Sequence, residues 1–178
     1  VVILTCLRWR GNFNGGSDYM TVIVLCSLSL CSLSTASSAT QLGILAQAGI
    51  TYVSIQTVFS YFIAGWVKIK RSSWRKGIAL TQLLTLSNYS VQPSIQKIVS
   101  NHKLSLILTW SVLLFECLFP FSLLHPDLSL LFISIAFLFH LTNAWALGLN
   151  RFWLSWMASY PILYFFCLQL SSRFSFFK

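Results

Sequence analysis

The stretch YFIAGWVKIKRSSWRKG, residues 61–77, passes abruptly from an apolar run to five cations, Lys68, Lys70, Arg71, Arg75 and Lys76. Apolar length followed by Lys and Arg is the pattern of a helix leaving a bilayer, and the composition of the whole chain agrees. Of 178 residues, 56% are hydrophobic and only 8% charged, with a mean hydropathy of +0.74. Globular domains carry about 25% charged residues, and one of this size could not cover its surface with so little polar material. The expected class is therefore all-α: a polytopic integral membrane helical bundle, with residues 1–178 as a single transmembrane domain.

Outward from that stretch, five segments are apolar enough to cross about 30 Å of hydrocarbon as helices. They cover residues 19–36, 43–67, 104–124, 128–149 and 152–170, the first being short and serine-rich. Residues 78–96 are too polar to span, and they are expected to form a short amphipathic helix on the membrane surface that ends before Pro93. The opening VVILTCLRWR lacks a methionine and reads as the tail of an earlier helix, so an incomplete N-terminus is expected.

Charge orients the spans. The loop 68–103 holds seven cations: Lys68, Lys70, Arg71, Arg75, Lys76, Lys97 and Lys103. Crossing the five spans in order adds Arg8, Arg10 and Arg151 to the same face and leaves Arg173 and Lys178 on the other. The excess of cations places the long loop in the cytoplasm and the C-terminus on the opposite side. Trp66, Trp74, Trp153 and Trp156, with Trp9 and Trp145, fall near the cationic face and are expected to anchor it as an aromatic belt. Arg71, Arg75 and Lys76 belong to the same anchor. The net charge of +9 is thus juxtamembrane in arrangement, which excludes a nucleic-acid-binding face.

Few side chains carry chemistry. Ionisable residues inside spans are costly and therefore candidates for function. They are Lys68 at the end of the second expected span, Glu116 in the third and His140 in the fourth. Tyr61, Gly65 and Lys68 share one helical face, and Gly65 is small enough for close helix approach. His140, Asn143, Leu147 and Asn150 form a second, largely polar stripe that should face protein. Counted from the cationic face, Glu116 and His140 lie deep enough to meet, and Lys68 reaches Asn143 or Asn150 more easily than Glu116. Lys68 is open to two readings, an interfacial anchor or a chemically active amine. Glu116 and His140 are likewise open to structural roles. The five cysteines, Cys6, Cys26, Cys31, Cys117 and Cys167, show no metal-ligand spacing, and no metal is expected. Walker, dinucleotide, HExxH and GxSxG patterns do not occur.

The ordered motifs NGGSDYM (14–20), YFIAGWVKI (61–69) with SWRKG (73–77), LLFECLFP (113–120), FHLTN (139–143) and GLNRFWLSWMASYP (148–161) resemble the horizontally transferred transmembrane (HTTM) superfamily. This is the membrane domain shared with vitamin K-dependent γ-glutamyl carboxylase, and the resemblance is to its short bacterial members, including those of photosynthetic bacteria. It implies that Lys68 stands at the carboxylase's catalytic base, which acts with reduced vitamin K, that Glu116 stands at an acidic position, and that His140 and Asn143 form its H-x-x-N pair. It also implies a departure: Gly15 or Gly16 stands where the carboxylase has an important histidine. The lumenal domain that holds the carboxylase's protein substrate is not expected here.

The expected function is a non-catalytic accessory or structural subunit of a larger membrane complex, photosynthetic or respiratory, in a bacterial inner or photosynthetic membrane. Its expected partners are membrane lipids and other membrane subunits, and its aromatic faces suit a quinone, chlorophyll, carotenoid or lipid. The alternatives are a membrane-embedded carboxylase or quinol-epoxidase-like enzyme using Lys68, Glu116 and His140, and an export or immunity protein of a peptide-toxin system.

Overall fold

The computed structural model describes residues 15–35, 43–86, 91 and 93–173. The sequence features at Cys6, Arg8, Trp9, Arg10 and Lys178, and residues 37–42 between the first two expected spans, lie outside the described residues. Four helices are long and apolar enough to cross a membrane: α1 (Gly15–Thr35), α2 (Ile44–Lys70), α6 (His102–Leu118, extended by a 3₁₀ turn over Phe119–Leu123) and α7 (Pro126–Leu147). Between α2 and α6 lie three short helices, α3 (Ser72–Arg75), α4 (Ile78–Leu86) and α5 (Pro93–Ser100), and after α7 come α8 (Asn150–Met157) and α9 (Tyr160–Arg173).

Local chemistry sets these limits. Lys68 and Lys70 occupy the last turn of α2, where cations offset the helix dipole. Asn101 caps α6, its side chain accepting from the backbone N–H of Lys103 and Leu104 at 3.0 and 3.4 Å. Pro120 cannot donate to the α-helical ladder, and the backbone tightens there into the 3₁₀ turn. The side chain of His125 caps α7 by accepting from Asp127 N–H, with Pro126 in the first turn. Gly148, with φ of 70°, ends α7 in the left-handed conformation that a glycine adopts without strain.

The surface segment differs from the single helix expected over 78–96. It forms α4 and α5, because Pro93 starts a helix rather than only stopping one: at a first helical position its missing N–H costs nothing. Leu84, Val91 and Val99 of this region bury themselves together against Leu80, Ile95 and Leu147.

The segment expected to span over 152–170 is divided. Pro161 sits in the first turn of α9, and at Ser159 the N–H bonds Trp156 O at 3.0 Å in a tighter turn. Ser159 is fully buried, and its hydroxyl donates to the same Trp156 carbonyl at 2.8 Å. Neither α8, of 8 residues, nor α9, of 14, is long enough to cross alone, so the count of long apolar helices is four among the described residues. Paired side chains give their directions. Arg151 and Ser155 of α8 meet Asp18 and Thr21 of α1 in the same order, so the two helices run parallel. Tyr160 and Gln169 of α9 meet Tyr61 and Gln47 of α2 in reverse order, so those run antiparallel.

The core lies where α2, α6, α7, α8 and α9 converge: Val53, Val58, Tyr61, Phe119, Ala136, Trp156, Tyr160 and Leu163, with Met20 and Val24 of α1. Outward-facing leucines, isoleucines and aromatics of the long helices stay exposed, as a lipid-facing surface requires.

Candidate functional site

Two buried polar groups occupy the interior. Lys68 Nζ pairs with Glu116 Oε1, and Glu116 is 3% exposed. The amine also lies 5.3 Å from the centroid of the Trp74 ring, a cation–π approach. Two turns deeper along the same face of α2, the Tyr61 hydroxyl shares hydrogen bonds of 2.8 Å with His140 Nε2 and of 2.8 Å with the Tyr160 hydroxyl.

Gly65 makes the first pair possible. A Cβ at this position would fall 2.9 Å from both the backbone nitrogen of Cys117 and Cβ of Glu116, so α2 and α6 touch backbone to backbone. The depth count from sequence fails at this point, since it assumes that α6 enters the membrane where it begins. Gly77, beyond the end of α2, instead packs against the backbone of Leu106, where a Cβ would be 3.0 Å away. Ser105 Oγ donates to Gly77 O at 2.7 Å and Trp110 Nε1 to Arg75 O at 3.2 Å. The first turns of α6 therefore extend past the end of α2 and are wrapped by α3, α4 and α5. That shift brings Glu116 level with Lys68 and leaves His140 to Tyr61.

The second group is enclosed by rings. Tyr61 stacks on Phe119 at 4.0 Å between centroids and meets Trp156 edge-on at 4.8 Å. His140 stacks on Trp156 at 5.3 Å and leans on Phe152 at 5.4 Å. Trp156 departs from the interfacial role expected of it: at 6% exposure it is a wall of the site, because the 152/156 face of α8 turns into the bundle. Trp153 also turns inward in part, edge-on to Phe137 at 5.9 Å. Trp66 does lie exposed, beneath Lys70 Nζ at 5.0 Å from its centroid, and Arg71, Arg75 and Lys76 are exposed.

The expected polar stripe on α7 stops at Gly148. Asn143 is half-buried, but Asn150 opens α8 and is exposed, so it leaves the stripe. Tyr160 belongs to the site and was not among the residues singled out from sequence; the only signal is its place beside Pro161, where a helix restarts. Phe119 is likewise unmarked. At Gly16, the position related by resemblance to the carboxylase histidine, a Cβ would lie 3.0 Å from the Phe152 ring. Gly16 is exposed, and the atoms it meets belong to the outer edge of the Phe152 ring.

Glu116 Oε2 and His140 Nδ1 are buried and make no hydrogen bond among the described residues. No group of three His, Cys, Asp or Glu side chains among those residues is placed to hold a metal. An apolar cleft of about 240 Å³ between α1, α2 and α9, lined by Leu28, Cys31, Ile50, Ile162 and Phe165, shares no residue with either polar group.

Four long apolar helices among the described residues mark an integral membrane protein. The family model for the HTTM domain matches residues 27–167, most of the chain, and the chain belongs to that family. Comparison with curated proteins and with solved structures gave no match.

Proposed function

We propose that this HTTM protein is a non-catalytic subunit of a larger membrane assembly, and that its interior polar residues act as ties between helices. The observation carrying this reading is the engagement of Lys68. Its pairing with the Glu116 carboxylate and its approach to the Trp74 ring tie α2 to α6 and α3, as a structural contact does. The glycines Gly15 and Gly16 support the same reading, since one of them stands where the resemblance implies the carboxylase's important histidine. The α2–α3 corner faces the cytoplasm, following the excess of cations there. In this arrangement α8 and α9 form a fifth, discontinuous crossing: about 12 Å and 21 Å of helix in sequence, close to the hydrocarbon thickness. Exposed leucines and isoleucines along α1, α2, α6 and α7 supply the surface for lipid and neighbouring subunits.

Mild solubilisation of native membranes tests the role. The chain should co-migrate in fixed stoichiometry with a large complex and run alone only after harsher detergent. Recovery as a free monomer under every mild condition would overturn the proposal.

A membrane-embedded enzyme is the second reading, favoured by Glu116 Oε2 and His140 Nδ1, two of the buried polar atoms without a hydrogen bond among the described residues, which a bound substrate with polar groups would satisfy. Quinol epoxidation by the purified chain, absent from the Lys68→Met variant, would establish it. Equal silence of both preparations would remove it.

A further inference from the structure

The chain contains only three acidic residues, Asp18, Glu116 and Asp127, against twelve Lys and Arg. The structure accounts for each of them. Glu116 is taken by Lys68, and Asp18 by Arg151. Asp127 lies in the first turn of α7, beyond the far end of α6, beside His125 at 3.4 Å. No acid of this chain is left for Lys70, Arg71, Arg75 and Lys76, nor for Lys97 and Lys103. All six are exposed, and all lie on the elements around the end of α2 and the protruding start of α6.

The backbone that carries the central cations is fixed, and the side chains of Lys70 and Arg75 have contacts of their own. Gly77, in a left-handed conformation with φ of 71°, seats the corner on the Leu106 backbone. Trp110 bonds the Arg75 carbonyl, Arg75 Nη1 donates to Ile69 O at 2.7 Å, and Lys70 rests over Trp66. Around them Trp66, Ile78, Leu104, Ile107 and Trp110 are exposed. Cations interleaved with indoles and aliphatic side chains match the layer where phosphate headgroups meet acyl chains. Like charges fixed this close repel unless anions sit among them, and a phosphate bearing two acyl chains satisfies both halves of the surface.

We propose that the α2–α3 corner, with Lys70, Arg71, Arg75 and Lys76 at its centre and Lys97 and Lys103 at its rim, is a binding site for the headgroup phosphate of anionic phospholipids. The site stands on charge and geometry of the chain alone and is independent of the subunit role.

The isolated chain, reconstituted in bilayers of equal parts phosphatidylglycerol and phosphatidylcholine and then extracted in mild detergent, provides the test. Co-purifying lipid should be enriched in phosphatidylglycerol by about fivefold or more, since one well-placed cation contributes about that factor. The Lys70→Gln/Arg71→Gln/Arg75→Gln/Lys76→Gln variant should return to the bulk ratio while keeping its thermal unfolding midpoint in detergent. Arg173→Gln, at the opposite end, should retain the enrichment. Bulk lipid ratio in the unsubstituted chain, undiminished enrichment in the quadruple variant, or an equal loss in Arg173→Gln would each overturn the site. Displacement of the lipid by millimolar inorganic phosphate would also overturn it, by showing a free-anion site instead.

Discussion

At the scale of single residues, Lys68 is decided by its neighbours rather than by its type. Its side chain is 22% exposed and that of Glu116 only 4%, so removing the amine strands a buried carboxylate. Lys68→Met should cost about 3 kcal/mol, the low end for breaking a buried pair. Lys68→Met/Glu116→Leu should recover most of that, because no charge is then left unpaired. Reversible unfolding in mixed micelles measures both, and a double variant as unstable as the single one would refute the pairing. Tyr61 makes a second prediction. Its hydroxyl serves both His140 and Tyr160, so Tyr61→Phe should destabilise by about 2 kcal/mol, against about 1 kcal/mol for Tyr160→Phe, which leaves the His140 bond intact. The reverse order would place the centre of the network elsewhere.

At the scale of elements, close approach governs where side chains meet. Gly65→Val should force α2 from α6 at the level of Cys117, costing about 1–3 kcal/mol and parting Lys68 from Glu116. Gly16→Ala meets only the edge of the Phe152 ring and should cost less than Gly65→Val, with Phe152→Leu relieving it in the double variant; unfolding midpoints check this. The long helices α1, α2, α6 and α7 were legible in sequence because length and apolarity are local properties. So was the shared face of Tyr61, Gly65 and Lys68. The depth of Glu116 was not legible, since it is set by contacts of Gly77 and Ser105 across the corner, between residues 28 or more apart in sequence. Trp156 misled for a related reason: a tryptophan near a basic residue suits an interface, and only the rotation of α8 against α1 and α7 buries it. The division at Ser159 had a written signal in Pro161, yet a run of apolar residues masks a break when only its length is counted.

At the scale of the whole molecule, orientation is open to direct measurement. A reporter of sidedness placed after Lys76 should score cytoplasmic, and one placed after Arg173 should score on the opposite side. Both on one side would end the five-crossing reading. The division of that last segment also bears on how the protein is made. A helix of 14 residues offers the insertion machinery too little apolar length to be recognised alone, and α8 carries Arg151 and Asn150 at its leading edge. Asp18, the counter-charge of Arg151, and Tyr61, the hydroxyl partner of Tyr160 at the start of α9, reside on α1 and α2, which are synthesised much earlier. On the five-crossing reading, the C-terminal segment would find its partners already inserted, and its entry would be an act of docking onto them.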